Sequence, residues 1–344
     1  MIPYTHMFGI HNKHNTTSLE FLAVGDIVTD AFIRINRASV LYDDDGDAQI
    51  CLENGAKIPY ESVTVLAGVG NSPNAAVSAT RLGLSTALVS DVGDDKNGRD
   101  MLAVLNTNNI DTRFVRIHEG HASNYHYVLW HKSDRTILIK HEEYPYTFPD
   151  IGTPAWLYVS SLGENSLPYH DAIAAYLSSH PDIKLAFQPG TFQIKLGYER
   201  LRVFYERAET FFCNVEEAQL ILSMPNTDGP TLARAMHEHG PTIVLITNGP
   251  AGAYMATDNG VWYMPIYPDP KPPLERTGAG DSFASTFTSF LALGKTPEEA
   301  LMRAPINSMS VVQHIGAQEG LLSLANIEQF LSERPDGYEP RKLS

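Results

Sequence analysis

Apolar residues fall along this chain in two patterns. Short unbroken runs, among them Phe21-Leu22-Ala23-Val24, Trp156-Leu157-Tyr158-Val159, Leu185-Ala186-Phe187, Phe211-Phe212-Cys213 and Ile243-Val244-Leu245-Ile246, read as buried strands that stop at polar or glycine residues. By contrast, Phe283, Phe287, Phe290 and Leu291 repeat at i, i+4, i+7 and i+8, the spacing of a helix with one buried face. From Pro154 onward strands and helices alternate steadily, which predicts a parallel sheet covered by helices. Upstream, Ser62–Leu66 and Thr86–Gly93 are further strands, each leading into a helix. The first of these helices has Ser72 as its N-cap, Pro73 as its first residue and Gly83 as its stop, and the second runs from Asn97 to Asn108.

Residues 113–146 show no helical period. His126–His131 and Thr136–His141 flank Lys132-Ser133-Asp134-Arg135 as a hairpin. A second alternating stretch, Ile33–Tyr60, turns at Asp43-Asp44-Asp45-Gly46-Asp47, and the two hairpins are expected to share one small sheet. His126, His131 and His141 are expected on its polar face or at an interface. The acidic turn is a solvated hairpin tip rather than an EF-hand, because Asn54 stands where the twelfth-position glutamate belongs.

With 344 residues, 43% of them hydrophobic, the chain has enough core for one large domain or two smaller ones. Forty acidic against 25 basic residues leave a formal charge of −15, which argues against nucleic acid and for a small-molecule partner. An anionic ligand then needs a local positive site or a bound cation. Cys51 and Cys213 have neither disulfide-framework nor zinc spacing, so a reducing, cytoplasmic compartment is expected. No run of about 18 apolar residues is present to span a bilayer. Met1–Ser18 lacks the regions of a signal peptide and reads as a loose tail, not as a metal site made by His6, His11 and His14.

The candidate chemistry gathers at Glu275-Arg276-Thr277-Gly278-Ala279-Gly280-Asp281, immediately before the Phe-rich helix. Gly278 and Gly280 let the backbone bend and approach a ligand, and first-turn N–H groups without intrahelical partners attract anions. Asp281, at the rim, is placed to take a proton from a hydroxyl attacking a phosphoryl group. Asp26 and Asp30, after the first strand, can accept hydrogen bonds from the hydroxyls of a sugar. Gly68-Val69-Gly70 does not continue as a dinucleotide fingerprint, which disfavours a Rossmann oxidoreductase.

Thr277-Gly278-Ala279-Gly280-Asp281 resembles the second signature of the ribokinase-like (PfkB-type) sugar and nucleoside kinases, although Glu275-Arg276 stands where the family usually has Asp-Thr. Gly68, Gly70 and Asn74 through Gly83 resemble the first signature, with Ala67 and Val69 departing from its glycine pair. Asn214-Val215-Glu216-Glu217 is similar to the family's Asn-x-x-Glu, and Thr247-Asn248-Gly249-Pro250-Ala251-Gly252 to its Thr-x-Gly-x-x-Gly. Gln188-Pro189-Gly190 replaces a common Asp-Pro-Asn. The resemblance implies a three-layer α/β/α sandwich with a mostly parallel central sheet and a small β-sheet lid. Residues 20–32, 61–112 and 146–340 would form the large domain, 33–60 and 113–145 the lid, and 1–19 an N-terminal tail.

That resemblance further implies transfer of the γ-phosphoryl group of ATP, with Mg²⁺, to a sugar hydroxyl. Asp281 would be the general base, with Gly278, Ala279 and Gly280 as the anion hole. Asp26, Asp30, Gly68, Gly70, Asn71 and Asn74 would hold the sugar. Asn214, Thr247, Gly249, Gly252, Thr277 and Asn307 would face the nucleotide, and Glu217 would organise the metal. Many members also hold a monovalent cation, K⁺, near the Gly316-Ala317 turn, and many pair as homodimers through the lid. Two alternatives stand beside the sugar kinase. One is a nucleoside kinase whose lid aromatics Tyr125, Tyr127 and Trp130 stack on a base, and the other is a catalytically silent sugar or nucleotide sensor.

Overall fold

The computed structural model describes residues 19–343 except 44, 45, 47 and 133. The N-terminal histidines and most of the acidic turn therefore lie outside the described residues. A ten-stranded sheet forms the centre. From one edge its strands are Val115–His118, Thr86–Gly93, Phe21–Val24, Trp156–Val159, Lys184–Phe187, Ala208–Asn214 and Ile243–Thr247, all parallel. Ala253–Thr257, Gly260–Met264 and Arg341–Lys342 then continue the sheet antiparallel.

The central strands Phe21–Val24 and Trp156–Val159 are apolar at every position because both faces are covered. Phe21 and Ala23 pack on one side with the helices Asn71–Arg81, Ala279–Ala292 and Pro297–Val311. Leu22 and Val24 pack on the other with Leu167–Ser179, Tyr198–Arg207 and Gly229–His237. The Phe repeat is buried as its period requires, and the Phe287 ring meets Phe212 of the sheet edge-on at 5.9 Å. Capping follows local chemistry: Thr296 and Glu299 form a reciprocal capping box at the start of Pro297–Val311.

Several boundaries differ from expectation. The helix after Ser62–Val69 begins at Asn71 with Gly70 as its cap, and the Ser72 hydroxyl donates instead to the Val24 carbonyl. The next helix is capped by Asp95. More consequential is the small sheet. Ser39–Tyr42 and Ala48–Cys51 pair only with each other, while the four-stranded sheet is made of Ser62–Val69, Val28–Arg34, Tyr125–His131 and Asp134–Leu138. Ser62–Val69, whose first residues read from sequence as a strand leading into a helix, and Val28–Arg34, most of which is expected in the large domain, thus pair outside the central sheet.

In that sheet Leu66, Asp30 and His126 stand in one row across three strands, and Val65, Ala31, Tyr127 and Leu138 in the next. Side chains alternate between faces. The first row therefore faces the central sheet and the second faces away, where Val65, Tyr127 and Leu138 are about half exposed.

Replacing Phe287 by Ala should remove about 3–5 kcal/mol of stability, by lost burial and an unfilled cavity. Urea unfolding of the two proteins measures it, and a midpoint within error of the parent would contradict the ring's place in the core.

Candidate active site

The candidate functional residues collect at the carboxyl ends of the parallel strands, where open α/β sheets bind ligands. Phe21–Val24 delivers Asp26, Lys184–Phe187 delivers Gln188, Ala208–Asn214 leads to Glu217, and Ile243–Thr247 ends in Thr247. Facing them, Gly278 takes a left-handed φ of 77° and opens the helix Ala279–Ala292. A β-carbon at Gly278 would run into Ala317, so glycine is required twice over.

Asp281, half-buried in the first turn of that helix, accepts three amide hydrogen bonds. Asn71 Nδ2 and Gln188 Nε2 each lie 3.0 Å from Oδ1, and Asn74 Nδ2 lies 2.8 Å from Oδ2. Two of the three donors are themselves held. Gln318 Nε2 donates to Asn74 Oδ1 at 3.0 Å and to the Gly68 carbonyl at 2.8 Å, and the buried Tyr158 hydroxyl donates to Gln188 Oε1. Burial pushes the Asp281 carboxyl above the ordinary aspartate range. The amides of Asn74, Gln188 and Asn71, with the charge of Arg135, pull it back.

Two recesses meet at this loop. The first is mostly apolar, with Pro250, Met264, Ile266, Pro305 and Met309 on its walls, and Ala279 and Gly280 at its end. Thr247, Gly249 and Gly252, three of the residues expected to face the nucleotide, line it. Asn307 does not. It is fully buried, with Nδ2 donating to Thr286 Oγ1 at 2.7 Å and Oδ1 accepting from Leu322 N–H at 2.9 Å, so the expectation that it packs on adenine is corrected. Its helix neighbours Ser308 and Met309 line the recess instead.

The second recess is polar and lies between the central and four-stranded sheets. Asp26, Asp30, Gly70, Asn71, Asn74, Glu217, Thr277 and Asp281 of the expected residues all line it. Gly68 is set back from it, facing Val104, with its carbonyl on Gln318. His126 and His141 also line it, so two of the three histidines expected on a polar face or interface look into this recess. His141 Nδ1 lies 2.9 Å from Asp26 Oδ2, and His126 Nδ1 lies 3.3 Å from Asp30 Oδ1. His131 is buried instead, with Nδ1 at 3.0 Å from the Ile35 carbonyl.

Asn214 and Glu217 form a capping box on Val215–Leu222, with 2.7 and 2.9 Å bonds between side chains and backbone. Burial raises the Glu217 carboxyl, the Asn214 amide lowers it, and the nearby Asp281 raises it further. Two carboxylates that disfavour each other's charge suit a divalent cation. No cluster of three or more His, Cys, Asp or Glu able to hold a metal occurs among the described residues.

Residues 45–324 match the pfkB family carbohydrate kinases. The chain belongs to that family. It is 25% identical over 295 residues to a 5-dehydro-2-deoxygluconokinase of Halalkalibacterium halodurans, covering 79% of this chain and 88% of the relative. It is 27% identical over 275 residues to a ribokinase of Bacillus subtilis, covering 76% and 87%. The structure of Arabidopsis thaliana ribokinase complexed with ribose and ATP superposes with a TM-score of 0.74 at 18% identity, over 92% of this chain and 99% of that one. This pfkB kinase therefore has the ribokinase fold, and it is a phosphotransferase of the carbohydrate-kinase type. No helix among the described residues is long and apolar enough to cross a membrane.

Sequence reasoning passed over Arg135, Gln318, Tyr146 and Tyr158. A period-two reading from His141 back through Ile139 and Ile137 reaches Arg135 and would have flagged a cation on the recess-facing side. It also left open what Glu275 does in place of the usual aspartate. Buried, Glu275 accepts from Gly316 N–H at 2.8 Å and Thr277 N–H at 2.7 Å, and it lies 3.9 Å from Arg135. One carboxylate thus ties the glycine loop, the 316–317 turn and the four-stranded sheet together. Glu275→Ala should cost about 2–4 kcal/mol, because hydrogen bonds to a charged acceptor contribute about 1.5–3 kcal/mol each and a buried N–H is left unpaired. Chemical denaturation reads this, and unaltered stability would refute the tie.

Proposed function

We propose that this kinase transfers the γ-phosphoryl group of ATP to a hydroxyl of a sugar, with Asp281 as general base. One observation carries the reading: within three consecutive residues the chain passes from the apolar recess, lined by Ala279 and Gly280, to the polar recess, lined by Asp281. A planar base fits the first and a polyol the second, with the loop between them at the point of transfer.

Asp281, kept half-buried and aimed by three amides, accepts the proton of the attacking hydroxyl. Backbone N–H groups of Ala279 and Gly280, at the helix N-terminus, neutralise charge on the transferring group. Glu217 and Asp281 would attract the Mg²⁺ that accompanies the nucleotide, which supplies positive charge against the phosphates. Arg135, held at Glu275 by the four-stranded sheet, adds a fixed cation at the same end. Asp26, Asp30, Asn71 and Asn74 hold the sugar, and the four-stranded sheet serves as the lid that keeps water from the reaction. A K⁺ ion by the Gly316-Ala317 turn belongs to the same reading and would appear as a rate that depends on K⁺ over Na⁺.

The nucleoside alternative loses the aromatic support expected for it. Tyr127 is on the outward face with Tyr125 packed against it at 5.1 Å, and Trp130 is buried beneath Arg34, so none of the three lines the polar recess.

With MgATP and a panel of pentoses, hexoses and nucleosides, ADP release is expected for a sugar. Asp281→Asn should lower the rate by about 10²–10⁴ while nucleotide binding persists. Full activity in that variant would remove Asp281 from the role of base, and ligand binding without turnover by the parent would favour a sensor. The outward row of Val65, Tyr127 and Leu138 is the surface on which a second copy would dock. Light scattering should give twice 38.0 kDa for the parent and a monomer for Tyr127→Glu, and a monomeric parent would refute the pairing.

A further inference from the structure

We propose that the acceptor recess selects neutral polyhydroxylated sugars and rejects sugar acids, with His126 and His141 as the residues that read the hydroxyls. This rests on the sugar-kinase reading above and names the substrate class for the same site.

The register of the four-stranded sheet sets His126 directly beside Asp30 on the neighbouring strand. Their closest atoms are 3.3 Å apart, yet Asp30 Oδ1 and His126 Nε2 are both buried without a hydrogen-bond partner. Leaving a buried acceptor and a buried imidazole nitrogen unpaired is costly, so the site is built for a group that serves them. A hydroxyl does so, since it donates to the carboxylate and accepts from an imidazole N–H. A carboxylate can only accept, and would set its charge against Asp30.

A second aspartate–histidine pair adjoins the first and is itself hydrogen-bonded. Asp26 is held by His141 at 2.9 Å and by the Tyr146 hydroxyl at 2.9 Å, and the His126 and His141 rings lie 5.2 Å apart. Two aspartate–histidine pairs side by side match neighbouring hydroxyls on one sugar.

Charge points the same way. Asp26, Asp30, Glu217 and Asp281 line the recess, and none of its lining residues is a lysine or arginine. Arg135, held at Glu275, is not among those lining residues. A like charge about 5 Å from these acids, at the effective dielectric of a protein site, disfavours an acid on the order of 10²-fold.

Calorimetry on the full chain, with a non-hydrolysable MgATP analogue, tests this with neutral sugars and their oxidised counterparts, ribose against ribonate and glucose against gluconate. The expected result is a neutral sugar that binds at least 10²-fold tighter than its acid. His126→Phe should weaken that sugar about 10-fold or more, raising KM with kcat within a few-fold, and His126→Gln, which keeps an amide donor, should recover most of the loss. An acid that binds as tightly as its neutral partner, binding of neither class, or an unchanged KM in His126→Phe would each overturn the inference. ADP release on a sugar acid would refute it while leaving the kinase reading intact. Selective neutral-sugar binding without ADP release would uphold the recess as described and refute the kinase reading.

Discussion

Much of this structure converges on one half-buried carboxylate, Asp281, and the amides that aim it. Burial raises the Asp281 carboxyl above the ordinary aspartate range. Three amide donors oppose that shift, and they come from distant stretches: Asn71 and Asn74 from the helix after Ser62–Val69, and Gln188 from the end of a central strand. Because Gln318 braces Asn74 and Tyr158 braces Gln188, the donors cannot swing away without breaking further bonds. Rigid supports of this kind fix the direction of the carboxylate before any ligand arrives.

The same economy of contacts explains the departures from the family's usual residues. Glutamate at 275 is one methylene longer than aspartate, and its two oxygens reach two backbone amides on separate loops, with Arg135 beyond. Glutamine at 188 is acceptor to Tyr158 and donor to Asp281 at once, which an aspartate at that position could not be while ionised. Both departures thus sit inside the hydrogen-bond framework of the glycine loop and Asp281.

The four-stranded sheet divides its work by face. Its inward row carries Asp30 and His126 toward the acceptor recess, and its outward row carries apolar side chains. Period-two alternation makes the two rows inseparable: a one-residue slip in register would send the polar pair to solvent and Tyr127 into the recess.

Much of this was legible in the residues. Unbroken runs such as Phe21–Val24 and Trp156–Val159 specify strands buried on both faces, the Phe283–Phe290 period specifies a helix, and glycines before Asp281 specify an anion loop, since each depends on local geometry. Pairing partners were not legible. Val28–Arg34 and Ser62–Val69 have ordinary strand sequences, and only the packed chain decides that they leave the central sheet. Asn307 shows the same limit: a polar residue near a loop motif looks like a ligand contact until packing turns its amide to Thr286 and Leu322. The sequence by itself determined the elements, the glycine turn and the family of chemistry, because those follow from neighbours within a few residues. Tertiary structure alone decided which donors hold Asp281 and which histidines face Asp26 and Asp30, because those contacts join residues separated by as many as 210 positions.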